Sequence, residues 1–124
     1  MKRFGFSFPL FNAKGGVNMI NAQLKKGLLD VCVLSALSRG ESYGYKIIKD
    51  LMPYIELSES TLYPILRRLE GSGCVTVHSV EHNGRLRKIY RITDTGEIQI
   101  KEFLTDWLEI EKVHQYIEEG IKHE

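Results

Sequence analysis

Two groups of arginines carry the most chemistry in this sequence. Arg67 and Arg68 follow Ser60, Thr61 and Tyr63 in one short segment, and Arg85, Arg87 and Arg91 alternate along another. A guanidinium pairs with phosphate oxygens and, when it engages through two N–H groups, with guanine edges; hydroxyls bond either phosphates or bases. These residue types in this pattern point to a nucleic-acid surface. Catalysis has far weaker support. The four histidines (78, 82, 114 and 123) show no H-E-x-x-H spacing, and there is no glycine-rich phosphate loop. No enzyme activity, cofactor or metal is therefore expected. His78 and His82 lie four residues apart on one hairpin face, which reads as a solvated surface in preference to a metal pair.

These side chains need elements to hold them. Residues 22–38 place Leu24, Leu28, Val31, Cys32, Leu34 and Leu37 at helical spacing on a broad apolar face, and Gly40 suits the cap beyond the helix end. A second helix is expected over 42–52, with Ser42 as its cap, Ile47, Ile48 and Leu51 inward, and Pro53 closing it. A third, over about 58–70, turns Leu62, Ile65, Leu66 and Leu69 to one side and Ser60, Pro64 and Arg67 to the other. A proline inside a helix costs about 3 kcal/mol. That cost falls if Ser60 and not Ser58 is the cap, and a tightened first turn is expected. Asn83-Gly84 then marks a two-residue hairpin turn, which fixes a register pairing Val75 with Ile92, Val77 with Tyr90, Ser79 with Lys88 and Glu81 with Leu86. The opposite face of that hairpin carries Arg85, Arg87 and Arg91. Thr93 caps a last helix to about residue 117. Its stripe of Ile100, Phe103, Leu104, Trp107, Ile110, Val113 and Ile117 has nothing after it in the chain to cover it.

The chain has 124 residues, 43% hydrophobic and 27% charged, which is globular composition and one domain's worth. No apolar run is long enough for a membrane span. Cys32 and Cys74 have no C-x-x-C spacing; two buried thiols in a reducing, cytoplasmic setting are expected. The net charge of +1 hides a division. Residues 1–92 hold 14 Lys and Arg against 7 Asp and Glu, and residues 93–124 hold 3 against 9. A basic body and an acidic end suit different partners. Residues 1–18 lack the pattern of a signal peptide. They read either as an arm that packs Phe4, Phe6, Phe8 and Phe11 or as an extension ahead of a start at Met19.

Three helices, a basic hairpin and a long last helix give a fold class that is mainly α with a small β-hairpin wing. This is a winged helix-turn-helix over 19–92 followed by a dimerisation helix over 93–124. Arg67 and Arg68 alone would read as a solvated helix face. A hairpin with arginines on one face, following directly, reverses that preference. Pairing two copies through the apolar stripe would present two reading helices to two half-sites on DNA. The competing reading is a winged-helix protein-interaction module without DNA binding.

Three segments carry a resemblance: Ser42-Tyr43-Gly44-Tyr45-Lys46-Ile47-Ile48, Ser60 through Glu70, and Lys88-Ile89-Tyr90-Arg91-Ile92-Thr93-Asp94-Thr95-Gly96. In order and spacing they resemble the signature of PadR-like transcriptional regulators, over about residues 22–117. The short chain resembles the subgroup with one C-terminal dimerisation helix. The resemblance implies a bacterial homodimeric repressor that binds double-stranded operator DNA. Ser60, Thr61, Tyr63, Arg67 and Arg68 would lie in the major groove, Arg85 and Arg87 of the wing on the backbone or minor groove, and Tyr43 and Lys46 on phosphates. Tyr90 would anchor the wing base. Some multidrug-sensing members place a tryptophan fourteen residues after the capping threonine, in a pore between subunits. That carries over to Trp107 with Leu24, Leu28, Val31, Glu111 and His114, and to a small aromatic or cationic ligand. Plain dimer-core packing of Trp107 is the preferred alternative.

Overall fold

The computed structural model describes residues 22–122, with side chains from residue 26 onward. The element order is α1 (Ala22–Ser38), α2 (Gly44–Leu51), α3 (Glu59–Gly71), β1 (Val75–His82), β2 (Arg85–Ile92) and α4 (Asp94–Lys122). The expected arm at 1–18 lies outside the described residues.

One continuous core joins these elements. It comprises Leu29, Val33, Leu34 and Leu37 from α1, Ile47 and Leu51 from α2, Leu57 from the loop, and Leu62, Ile65, Leu66 and Leu69 from α3. Cys74, Val75 and Tyr90 extend it into the hairpin base. The α3 stripe is the one its periodicity dictates. The α1 face is not: Leu29 and Val33 are buried, whereas Leu28, Val31 and Cys32 are half-buried on the flank. α1 is apolar around most of its circumference, so spacing alone does not select one face.

Two caps differ from expectation. Ser42 does not cap α2, which begins at Gly44 after an extended Tyr43 that makes no side-chain cap bond. Ser42 instead pairs with the hairpin, its N–H donating to the Tyr90 carbonyl at 3.0 Å and its carbonyl accepting from Tyr90 N–H at 2.7 Å. A backbone-to-backbone exchange satisfies both of its polar groups, so Ser42 serves the wing and not the helix. α3 is capped by Ser58, not Ser60. The Ser58 Oγ accepts from Thr61 N–H at 3.3 Å, and the Ser58 carbonyl accepts from the same N–H at 3.2 Å. The Ser58 carbonyl also accepts from Leu62 N–H at 2.9 Å, so an ordinary α-helical bond accompanies the shorter-range one in the first turn, and Pro64 sits inside the helix. Its missing N–H would otherwise serve the carbonyl of Ser60, which is exposed and open to water.

The hairpin takes the expected register along its whole length. Asn83 and Gly84 have φ of 54° and 79°, the positive values that a type I′ turn requires. Thr93 caps α4: Gly96 N–H donates to Thr93 Oγ1 at 3.1 Å, and that hydroxyl donates to the Gly73 carbonyl at 2.6 Å. Gly96 is buried so tightly that a Cβ there would come within 2.5 Å of the Cys74 carbonyl oxygen. The start of α4 is thereby pressed against the wing base. α4 continues to Lys122, past the expected end at 117. No helix among the described residues is long and apolar enough to cross a membrane.

Candidate nucleic-acid interface

α3 presents Ser60, Thr61, Pro64 and Arg67 on its exposed face, because Leu62, Ile65, Leu66 and Leu69 take the other side into the core. The hydroxyls at its start are tied together. Ser58 Oγ lies 3.1 Å from both Ser60 Oγ and Thr61 Oγ1. Tyr63 lies between the faces. Its hydroxyl occupies the space where a side chain at Gly44 would stand, since a Cβ built there would collide with it. Gly44 is thus the residue that lets α3 approach α2.

The wing meets α2 across a cleft of about 560 Å³, lined by Tyr43, Gly44, Tyr45, Tyr63, His82, Arg85, Leu86, Arg87 and Lys88. The Arg87 guanidinium lies over the Tyr43 ring, 3.9 Å from its centroid. Among the described residues, Arg67, Arg85, Arg87 and Lys88 make no ion pair. Other cations in the same region are already engaged. Arg91 is held by Glu41 at 2.9 Å, Lys46 by Asp50 at 2.7 Å, and Arg68 by Asp30 of α1. Arg68, on the flank of α3, therefore braces that helix against α1. Burial pushes the Asp30 carboxyl above its ordinary value and outweighs the pull of Arg68. Burial also raises the Tyr90 phenol, which anchors the wing base at 5% exposure, and the Cys32 thiol.

Lys88 and Leu86 line the cleft although alternation places them on the hairpin face opposite Arg87. β2 lies between β1 and the Ser42 segment, so its inner edge borders the cleft. The signal for this was the Ser42–Tyr90 pairing, which a cap reading of Ser42 obscures.

The chain matches the description "Transcriptional regulator PadR-like family" over residues 33–102. It belongs to that family. This PadR-like chain is 32% identical over 102 residues to the negative transcriptional regulator PadR of Bacillus subtilis, covering 78% of this chain and 52% of that one. It therefore spans about half the length of that relative. Among solved structures, a PadR family regulator from Eggerthella lenta is 35% identical with a TM-score of 0.70, over 77% of this chain and 87% of that one. Bacillus subtilis PadR in complex with operator DNA is 26% identical with a TM-score of 0.59, over 62% and 46%. The winged helix-turn-helix and its role in transcription regulation are thus shared by fold and by family.

On α4 of this PadR-like chain, Ile100, Phe103 and Ile110 are half-buried, whereas Leu104, Val113 and Ile117 are more than half exposed. Leu108, Tyr116 and Ile121 are exposed as well. Trp107 is 36% exposed and lies nearly parallel to Phe103, with centroids 6.0 Å apart. Glu111 and His114 are exposed one and two turns further on, and Leu28 and Val31 sit half-buried on α1. The Leu24 side chain lies outside the described residues.

Proposed function

We propose that this chain is a homodimeric repressor that binds operator DNA. α3 enters the major groove with Ser60, Thr61, Tyr63 and Arg67, and the wing meets the phosphate backbone with Arg85, Arg87 and Lys88. One observation carries this reading: three cations without an ion pair among the described residues, and three tyrosines, surround a cleft between the wing and the helix-turn-helix. Unpaired cations gathered at a surface repel one another unless anions arrive, and a duplex backbone supplies them. A protein-interaction module would have no need of such a cluster. The operator complex of Bacillus subtilis PadR supports the same assignment.

Two copies join through Leu104, Trp107, Val113 and Ile117, with Ile100, Phe103 and Ile110 behind them. Burying this stripe removes the exposed apolar surface, and the acidic remainder of α4 keeps that end away from phosphates. In this reading Trp107, Glu111 and His114 border the space between copies, together with Leu28 and Val31. A flat cationic compound is the ligand chemistry that suits an aromatic face beside a carboxylate. The test is duplex affinity against salt, using DNA from upstream of the protein's own gene. A steep linear fall of log affinity with log salt supports the reading, since neutralised phosphates release counterions. No binding at low salt contradicts it.

A further inference from the structure

Three consecutive residues touch both DNA-facing elements. Ser42 exchanges two backbone hydrogen bonds with Tyr90 of the wing, Tyr43 lies under Arg87 of the same strand, and Gly44 receives the Tyr63 hydroxyl of α3. We infer that Tyr43 is a positioning residue for Arg87: its ring, not its hydroxyl, contributes to DNA binding by holding the guanidinium in the orientation that meets a phosphate. This rests on reading the cleft as a phosphate site.

The physical argument begins with the freedom of an arginine side chain. Several rotatable bonds must be fixed when the head binds, and fixing them beforehand strengthens binding. A ring 3.9 Å from the guanidinium supplies that restraint without using an N–H donor. A ring over one flat face leaves the in-plane N–H groups free, and these are the ones a phosphate engages. Arg91, two alternate positions along the same face, gives the contrast. Glu41 holds it by two N–H groups, at 2.9 and 3.3 Å, so its donors are spent within the chain. The ring restrains Arg87 and leaves its charge available, whereas the carboxylate restrains Arg91 and neutralises it.

The experiment measures affinity of the full chain for its upstream duplex in Tyr43→Phe, Tyr43→Leu, Arg87→Ala and the double variant Tyr43→Leu/Arg87→Ala. Tyr43→Phe keeps the ring and is expected within about twofold of wild type, and Tyr43→Leu to bind about three- to tenfold more weakly. The double variant is expected to bind no more weakly than Arg87→Ala alone. Equal losses in Tyr43→Phe and Tyr43→Leu would make the hydroxyl a phosphate contact and overturn the proposal, as would additive losses in the double variant. Arg87→Lys covers the case in which Tyr43→Leu does not fold. It keeps the charge and loses the planar stack, so a similar loss is expected and full affinity overturns the proposal. Side-chain proton resonances of Arg87 in the free protein give a readout without DNA. They should be shifted upfield by the ring in wild type and Tyr43→Phe and not in Tyr43→Leu. A missing shift with wild-type binding intact overturns this proposal alone. A shift present in a protein that binds no duplex overturns the duplex reading and this proposal with it.

Discussion

The body from Leu29 to Ile92 and helix α4 treat apolar residues in opposite ways. In the body, Val33, Leu34, Ile47, Leu62 and Leu66 are essentially sealed inside one chain. In α4 the only buried residue is Gly96, while Leu104, Leu108, Val113, Tyr116, Ile117 and Ile121 stay exposed along a helix of 29 residues. The difference teaches that one chain suffices to shape the body, whereas the other described residues leave most of the apolar surface of α4 exposed. Charge also differs: residues 29–92 hold 9 Lys and Arg against 7 Asp and Glu, whereas residues 93–124 hold 3 against 9. Substitutions in the two regions should therefore fail differently.

The largest expected effect lies in the body. Leu66→Ala, at a side chain 1% exposed, should cost about 2–5 kcal/mol in chemical denaturation. A loss well below 1 kcal/mol would erase the contrast with α4. Next comes α4 itself. Trp107→Ala should weaken self-association by about 2 kcal/mol, as central aromatic residues of interfaces do, while helix content measured by circular dichroism is retained. An unchanged association constant by sedimentation would remove Trp107 from the interface.

Within the body, the two neighbouring arginines sharpen the comparison between free and engaged charge. Arg67→Ala should cost about 1–3 kcal/mol in operator binding if it reads a base. An equal loss on random DNA would make it a phosphate contact. Arg68→Ala should change operator affinity much less, because Asp30 already holds that guanidinium. Equal losses at both positions would show that the ion pair opens on DNA. The smallest effect belongs to Asp30. Its folded carboxyl titrates above the ordinary 3.8, so the folded chain holds its proton longer than the unfolded chain does. Ionising it therefore lowers stability as pH rises from that ordinary value through the raised one, with no further change above. The melting temperature of wild type relative to Asp30→Asn should fall across that window, and a rise would reverse the assignment.

Where one physical signal dominated, the sequence was legible. Asn83-Gly84 permits one tight turn, and a two-residue turn fixes every pair in the hairpin. The α3 stripe was equally clear because its polar face is distinct. Legibility failed where two signals competed. α1 is apolar on several sides, so its core face is chosen by its neighbours. Ser42 is a good cap residue, but the pairing that claims it comes from Tyr90, 48 positions later in the chain. Helical spacing sets Arg67 opposite the core stripe and Arg68 on the flank, but it does not reveal that Asp30 of α1 engages Arg68. The packing of Tyr63 on Gly44 left no local pattern at all.

The central claim is that two chains joined through α4 hold two basic heads on one duplex. Sedimentation velocity of the protein with a labelled upstream duplex at low salt tests it most directly. Two chains per duplex, lost together when Trp107 is replaced by alanine, is the predicted result. A single chain that sediments alone and leaves the duplex unshifted would contradict it.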